Sequence, residues 1–189
     1  MMRSTLQLSA ASGDATRIIA ITSPSSGEGR STVVARLGLS LAASGRGVLV
    51  VDADLRMPGL HRHFGMPDGL PGLAELLAGQ ADIAPIPTSW PRLHLLPAGT
   101  PSDHSAEQLQ SPFFHERLSD FTETFDYILF DCPPLEFSEA LEIGALADDI
   151  LLVIRDRFTS KQALRLSQTR LGRLRGKVLG LIINDDRTT

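Results

Sequence analysis

No run of roughly 18 or more apolar residues occurs in the 189-residue sequence, so no segment has the length needed to cross a bilayer as a helix. The opening stretch "MMRSTLQLSAASGDATR" lacks the apolar centre of a secretory signal, and the expected compartment is the cytoplasm. A single cysteine, Cys132, excludes an internal disulfide and agrees with a reducing compartment. Positive charge is not in excess either. Eighteen basic against 22 acidic residues give a formal net charge of -4, which offers no global attraction to nucleic acid or to an anionic membrane. The one concentrated basic stretch, "RLSQTRLGRLRGK" (165–177), reads as a solvated helix face. The five histidines show no metal-ligand spacing, and His61 and His63 read as surface or packing residues. Internal repeats and low-complexity segments are also missing. With 42% hydrophobic and 21% charged residues, the composition is that of one globular domain with a full core.

What is present is an alternation. Short apolar runs without helical period, at 17–22, 47–54, 92–99, 127–131, 149–155 and 177–184, predict strands. Most are apolar on both faces, which suits a parallel sheet covered on both sides. Helices are expected at 31–45, 72–77, 113–124, 138–146 and 159–174. In the first, Val34, Leu37, Gly38, Leu41 and Ala42 keep the i, i+3, i+4, i+7 spacing. Strands alternating with helices predict an α/β, doubly wound, mainly parallel sheet with helices on both faces. Such sheets bind ligands at the carboxyl ends of their strands. The proline-rich "ADIAPIPTSWP" (81–91) reads as a surface connection. Residues 1–16 read as a flexible N-terminal segment and 17–189 as a single domain.

Three polar motifs stand at the ends of predicted strands. "TSPSSGEGRSTVV" (22–34) has the glycines and the Ser-Thr ending of a phosphate-binding loop entering a helix, where backbone N–H groups converge on an anion. Gly27, Glu28, Gly29, Arg30, Ser31 and Thr32 are the candidate nucleotide-binding residues. The consensus G-x-x-x-x-G-K-[ST] is met in part, since Pro24 takes the first glycine position and Arg30 that of the lysine. Ser31 would offer its hydroxyl to Mg²⁺, and Thr32 would lie near the α-phosphate. In "VLVVDADLRMP", Asp52 and Asp54 stand two apart, where period-2 geometry would turn both to one side to order a metal-bound or attacking water. "YILFDCPP" ends in Asp131, placed to hold a Mg²⁺-bound water opposite Ser31. Candidate metal-site residues are thus Ser31, Asp52 and Asp131. Cys132 reads as a small filler.

At this point the sequence resembles the bacterial tyrosine kinases of capsule and exopolysaccharide synthesis (CpsD/CapB type), within the MinD/ParA group of P-loop ATPases. The resemblance runs over about residues 17–184 and rests on the phosphate loop, "VDADLRMPGLHRHFG", "GLAELLAG", "LHLLPAGTPSDHSAEQLQS" and "FDYILFDCPPL". It implies ATP/ADP and Mg²⁺ as cofactors. Gly27, Gly29, Arg30, Ser31 and Thr32 would form the Walker A loop, Asp52 and Asp54 the Walker A′ motif, and Asp131 Walker B. Asn184 would contact adenine, and Arg56 matches an arginine whose role stays open. Asp52 or Asp54 would act as base toward an incoming hydroxyl, with Arg30 among the catalytic groups. The implied partners are a membrane-anchored polysaccharide co-polymerase or chain-length regulator and other copies of the chain. No nucleic acid is expected, and the place of work would be the inner face of the plasma membrane, reached through the partner.

Three departures from the family pattern imply weak or absent kinase activity. Arg30 replaces a compact ammonium with a planar fork. A C-terminal tyrosine cluster is replaced by "NDDRTT", and the single tyrosine, Tyr127, begins a core strand. The E-x-x-R-type N-terminal helix has no counterpart in residues 1–16. A MinD/ParA-like positioning ATPase and a non-catalytic interaction module are the alternative readings.

Overall fold

In the computed structural model, residues 15–100, 105–172, 174 and 177–184 are described. The expectations for residues 1–14, and for positions 173, 175 and 176 of the basic stretch, lie outside the described residues.

Seven strands form one sheet. They are β1 (Arg17–Thr22), β2 (Val48–Asp52), β3 (Ile86–Pro87), β4 (Leu93–Leu96), β5 (Tyr127–Asp131), β6 (Asp149–Arg155) and β7 (Lys177–Asn184). Their order across the sheet is β3-β4-β2-β5-β1-β6-β7, with every neighbour parallel except β3 against β4. Four of the six expected strands have the predicted bounds. The other two are shorter: β2 stops at Asp52 and β4 at Leu96. The two-residue β3 lies inside the proline-rich stretch read as a connection. Pro87 has no N–H to give, and it sits on an edge strand, where the loss is tolerated.

Side chains alternate across the sheet and divide the core in two. Ile19, Ile21, Val48, Val50, Leu129, Leu151 and Val153 pack under α1 (Arg30–Ala43), against Val34, Leu37 and Leu41. Gly38 lets α1 lie close, since a Cβ there would come within 2.9 Å of Val50 Cγ1. Ala20, Leu49, Val51, Ile128, Phe130 and Leu152 face the other way. There they meet α2 (Leu73–Leu77), α4 (Pro112–Thr124), α5 (Ser138–Leu146) and α6 (Lys161–Leu171); the short α3 (Ser105–Gln108) precedes α4. Helices therefore cover both faces, as expected of a doubly wound domain. Serine caps fix two helix starts: Ser111 Oγ accepts from Phe114 N (3.2 Å) and Ser160 Oγ from Ala163 N (3.1 Å). Helix α6 ends at Leu171, short of the expected Leu174, followed by Gly172.

The topology sets the site. β1, β5 and β2 are adjacent at the centre, and the register pairs Asp131 with both Ile21 and Asp52. Asp52 and Asp131 share the alternation of Val50 and Leu129, so both belong to the α1 face.

Candidate nucleotide-binding site

β1 runs directly into the glycine-rich loop. Thr22 Oγ1 donates to Pro133 O (2.8 Å) and Ser23 Oγ to Ser25 O (2.6 Å), fixing the loop against β5's exit. Gly27 and Gly29 take φ of 79° and 84°, the left-handed region that favours glycine. A Cβ at Gly29 would also collide with Asn184 Nδ2. Gly29 supplies no side chain to cap α1, no other side chain caps it, and no acid stands in its first turn. The N-terminal amides of a 14-residue helix are thus left for an anion to accept. Ser31 and Thr32 lie half-buried in that first turn.

The outer side of the loop is braced by the far end of the chain. Asn184 Nδ2 donates to Glu28 O (3.1 Å), and Arg155 Nη1 to Gly27 O (3.4 Å). The Glu28 carboxylate is buried, accepting from Thr159 Oγ1 (2.7 Å) and Ser25 N (3.2 Å). Burial raises its pKa, opposed by the hydrogen bonds from Thr159, Ser25 and Arg155 and by the charge of Arg30. What Glu28 can offer a ligand therefore comes through its backbone N–H.

Arg30 turns inward. Only 8% exposed, it donates from Nη2 to Asp54 Oδ2 (2.8 Å) and from Nη1 to Ser23 Oγ (3.2 Å). Strand geometry was expected to place Asp54, but β2 has ended two residues earlier. A turn places it instead, with Asp54 Oδ1 accepting from Met57 N (3.1 Å). Asp52, at the strand end, accepts from Gly59 N (3.1 Å) and Leu60 N (2.9 Å) at one oxygen. These amides belong to a 3₁₀ turn at Leu60–Phe64 that the sequence pattern did not reveal. Burial raises the Asp52 pKa to about 6; the charge of Asp54 adds to the effect, and the Leu60 and Gly59 amides oppose it.

Asp131 is 1% exposed, and neither carboxylate oxygen has a hydrogen-bond partner of normal geometry. Burial pushes its pKa up to about 7, and Asp52's charge adds to this. Arg30 and the Ser31 hydroxyl, which faces it, oppose the rise. Two buried carboxylates thus share one nearby cation that is already committed to a third. Such a centre is short of positive charge, and the orphaned Asp131 oxygens beside Ser31 fit a hard cation. Among the described residues no cluster of three or more His, Cys, Asp or Glu side chains forms a metal cage.

Other expectations can now be placed. Asn184 is in the site, holding the loop. Arg56 Nη2 donates to Glu139 Oε1 (3.1 Å) and its guanidinium lies 4.8 Å from the Phe137 ring centroid, tying the acidic turn to α5. Cys132 is buried, and burial pushes its thiol pKa up, as befits a filler. Tyr127 is 1% exposed and offers no accessible hydroxyl. His61 is buried with Nε2 2.6 Å from Asp68 Oδ1, whereas His63 is exposed. Thr159 and Glu139 belong to no sequence motif, and the bracing roles of Ser23 and Glu28, which lie inside the phosphate-loop stretch, emerge only from the fold.

A family model described as an AAA domain matches residues 16–174. The tyrosine-protein kinase CpsD of Streptococcus agalactiae is 32% identical over 176 residues, covering 92% of this chain and 77% of that protein. The chain belongs to this kinase family. The relatives include larger proteins: the succinoglycan biosynthesis transport protein ExoP of Rhizobium meliloti is 35% identical over 91% of this chain but only 22% of its own length. Among solved structures, the kinase domain of Escherichia coli tyrosine kinase ETK aligns over 100% of this chain and 75% of that chain (25% identity, TM-score 0.88). The septum site-determining protein MinD of Pyrococcus horikoshii OT3, complexed with Mg-ADP, aligns over 89% of this chain and 70% of that chain (30% identity, TM-score 0.69). The fold is thus of the P-loop NTPase type that CpsD-type kinases share with MinD.

Proposed function

We propose that the chain is a Mg-ATP/ADP-binding domain of the CpsD type with weak or absent tyrosine kinase activity, acting as a nucleotide-dependent partner in exopolysaccharide or capsule synthesis. The observation that carries this reading is the uncapped start of α1 behind two left-handed glycines, with the unpartnered Asp131 carboxylate facing Ser31. Anion and cation sites lie where a polyphosphate and its Mg²⁺ would need them. When bound, Mg-ATP would supply the transferable phosphoryl group and the neutralising cation. The loop amides of Gly27–Thr32 would hold phosphates, and Ser31 with Asp131 would hold the cation or its waters, with Asp52 behind them. Asp54 is the better-placed base toward a hydroxyl once Arg30 leaves it, because it is 7% exposed whereas Asp52 is wholly buried. Asn184 would reach adenine only by surrendering its bond to the loop.

Reduced turnover is supported by the commitment of Arg30 to Asp54 and by the burial of Tyr127. A relative named as a succinoglycan biosynthesis transport protein, ExoP, supports a partner in polysaccharide transport; with a membrane co-polymerase in that role, the domain would work at the inner membrane face. No helix among the described residues is long and apolar enough to cross a membrane. A MinD/ParA-like positioning role is disfavoured because such ATPases would carry an additional lysine early in the phosphate loop, and "TSPSS" has none.

Isothermal titration tests the reading. ADP with Mg²⁺ is expected to bind, and Ser31→Ala to weaken Mg-ADP about tenfold while leaving ADP without Mg²⁺ unchanged. No heat of binding at millimolar nucleotide would refute it. Labelled ATP with phosphotyrosine detection then measures any transfer, with Asp54→Asn expected to abolish it.

A further inference from the structure

The cation of the phosphate loop already has an anion. The Arg30 and Asp54 side chains are about nine-tenths buried, at 9% and 10% exposure, and meet at 2.8 Å. A guanidinium recognises carboxylate and phosphate oxygens by the same in-plane N–H groups, so the two are rival partners of one fork. The carboxylate is not free to follow Arg30 toward a phosphate, because Met57 N holds Asp54 Oδ1 at 3.1 Å. Nor is the guanidinium loose, since Nη1 is also held by Ser23 Oγ at 3.2 Å, a residue of the strand-to-loop corner.

We propose that Asp54 is an internal competitor of the nucleotide: it holds Arg30 away from the phosphates, and nucleotide binding exchanges the Asp54 carboxylate for phosphate oxygens on Arg30. This rests on the nucleotide reading of the site. It adds a coupling that the motif does not predict, because Asp54 becomes a free carboxylate only when Arg30 is drawn to phosphate. The residue placed to act as base is thereby masked until a phosphoryl donor arrives, and binding is weakened by the energy of the ion pair.

A double-mutant cycle on the full chain isolates this coupling from the general field of a carboxylate near an anion. ADP affinity is measured by titration calorimetry, with and without Mg²⁺, for the unmodified chain, Asp54→Asn, Arg30→Gln and the double variant. Melting temperatures confirm that each is folded, and Arg30→Met serves as a second background should Arg30→Gln fail to fold. Asp54→Asn is expected to tighten ADP binding about fivefold in the unmodified chain and less than about twofold in the Arg30→Gln background, within the usual coupling of contacting residues. Equal tightening in both backgrounds, or none in the unmodified chain, overturns the competition while leaving the nucleotide site standing. Absence of ADP binding in all four proteins overturns both.

Discussion

Asp131 illustrates what a single buried side chain does to the whole domain. Its carboxyl has a folded pKa of about 7 against an ordinary 3.8, and Asp52 one of about 6, chiefly because burial penalises their charged forms. Raised pKa values mean that the folded state binds protons more tightly than the unfolded chain. The stabilising contribution is then fully present below about pH 3.8 and is lost as pH rises through about 6 to 7. Asp131→Asn removes the larger part. At pH 8 it is expected to raise stability by roughly 2 kcal/mol, with a much smaller effect near pH 4.5. Thermal unfolding of both proteins across that range checks this; a pH-independent difference would mean that Asp131 ionisation is not what costs stability. The same residue shows how a site spends stability on a charge arrangement that a cation would relieve.

At the scale of elements, two glycines with nearly the same φ make opposite predictions. Gly59 and Gly72 have φ of -162° and -168°, extended backbone that any residue adopts. A Cβ at Gly59 meets nothing within 4 Å, whereas one at Gly72 would collide with the Pro97 carbonyl oxygen. Gly72 begins α2 exactly where the chain leaving β4 crosses it, with Leu73 N donating to Pro97 O (2.8 Å) and Glu75 accepting from Gly72 N and Thr100 N. Gly72→Ala is therefore expected to cost roughly 2 to 3 kcal/mol and Gly59→Ala under about 0.5, read by denaturant unfolding. Equal costs would show that space at the α2–β4 crossing is not what selects glycine. The elements themselves were largely legible, because β1, β5 and β6 are apolar runs buried on both faces, and β7 is as apolar although it lies at the sheet edge with Val178, Leu181 and Ile183 exposed. What stayed hidden was short or irregular: β3, pairing through two residues, and the Leu60–Phe64 turn that feeds amides to Asp52. The motif letters located Arg30, Asp52, Asp54 and Asp131. They could not show that Arg30 spends its charge on Asp54, because that pairing depends on the turn after β2.

At the scale of the whole molecule, the phosphate loop is closed by its most distant neighbour. Asn184, at the end of edge strand β7, donates to Glu28 O across 156 positions of sequence, and Gly29 can only be glycine beside it. β6 contributes Arg155, and the turn after it Thr159, so one side of the loop is held entirely by the last third of the chain. The family resemblance assigns Asn184 to adenine, while the geometry makes it a brace, and the two roles part company on the choice of ligand. A brace shapes the amides that hold phosphates, so its loss weakens every phosphate ligand; an adenine contact matters only to ligands that carry the base. Asn184→Ala is expected to weaken Mg-ADP and Mg-pyrophosphate alike, by about three- to tenfold, as removal of one hydrogen bond of about 1 kcal/mol allows. Calorimetry with both ligands decides it. Weakening of ADP with pyrophosphate unchanged would assign Asn184 to the base and would mean that its bond to Glu28 yields when nucleotide enters.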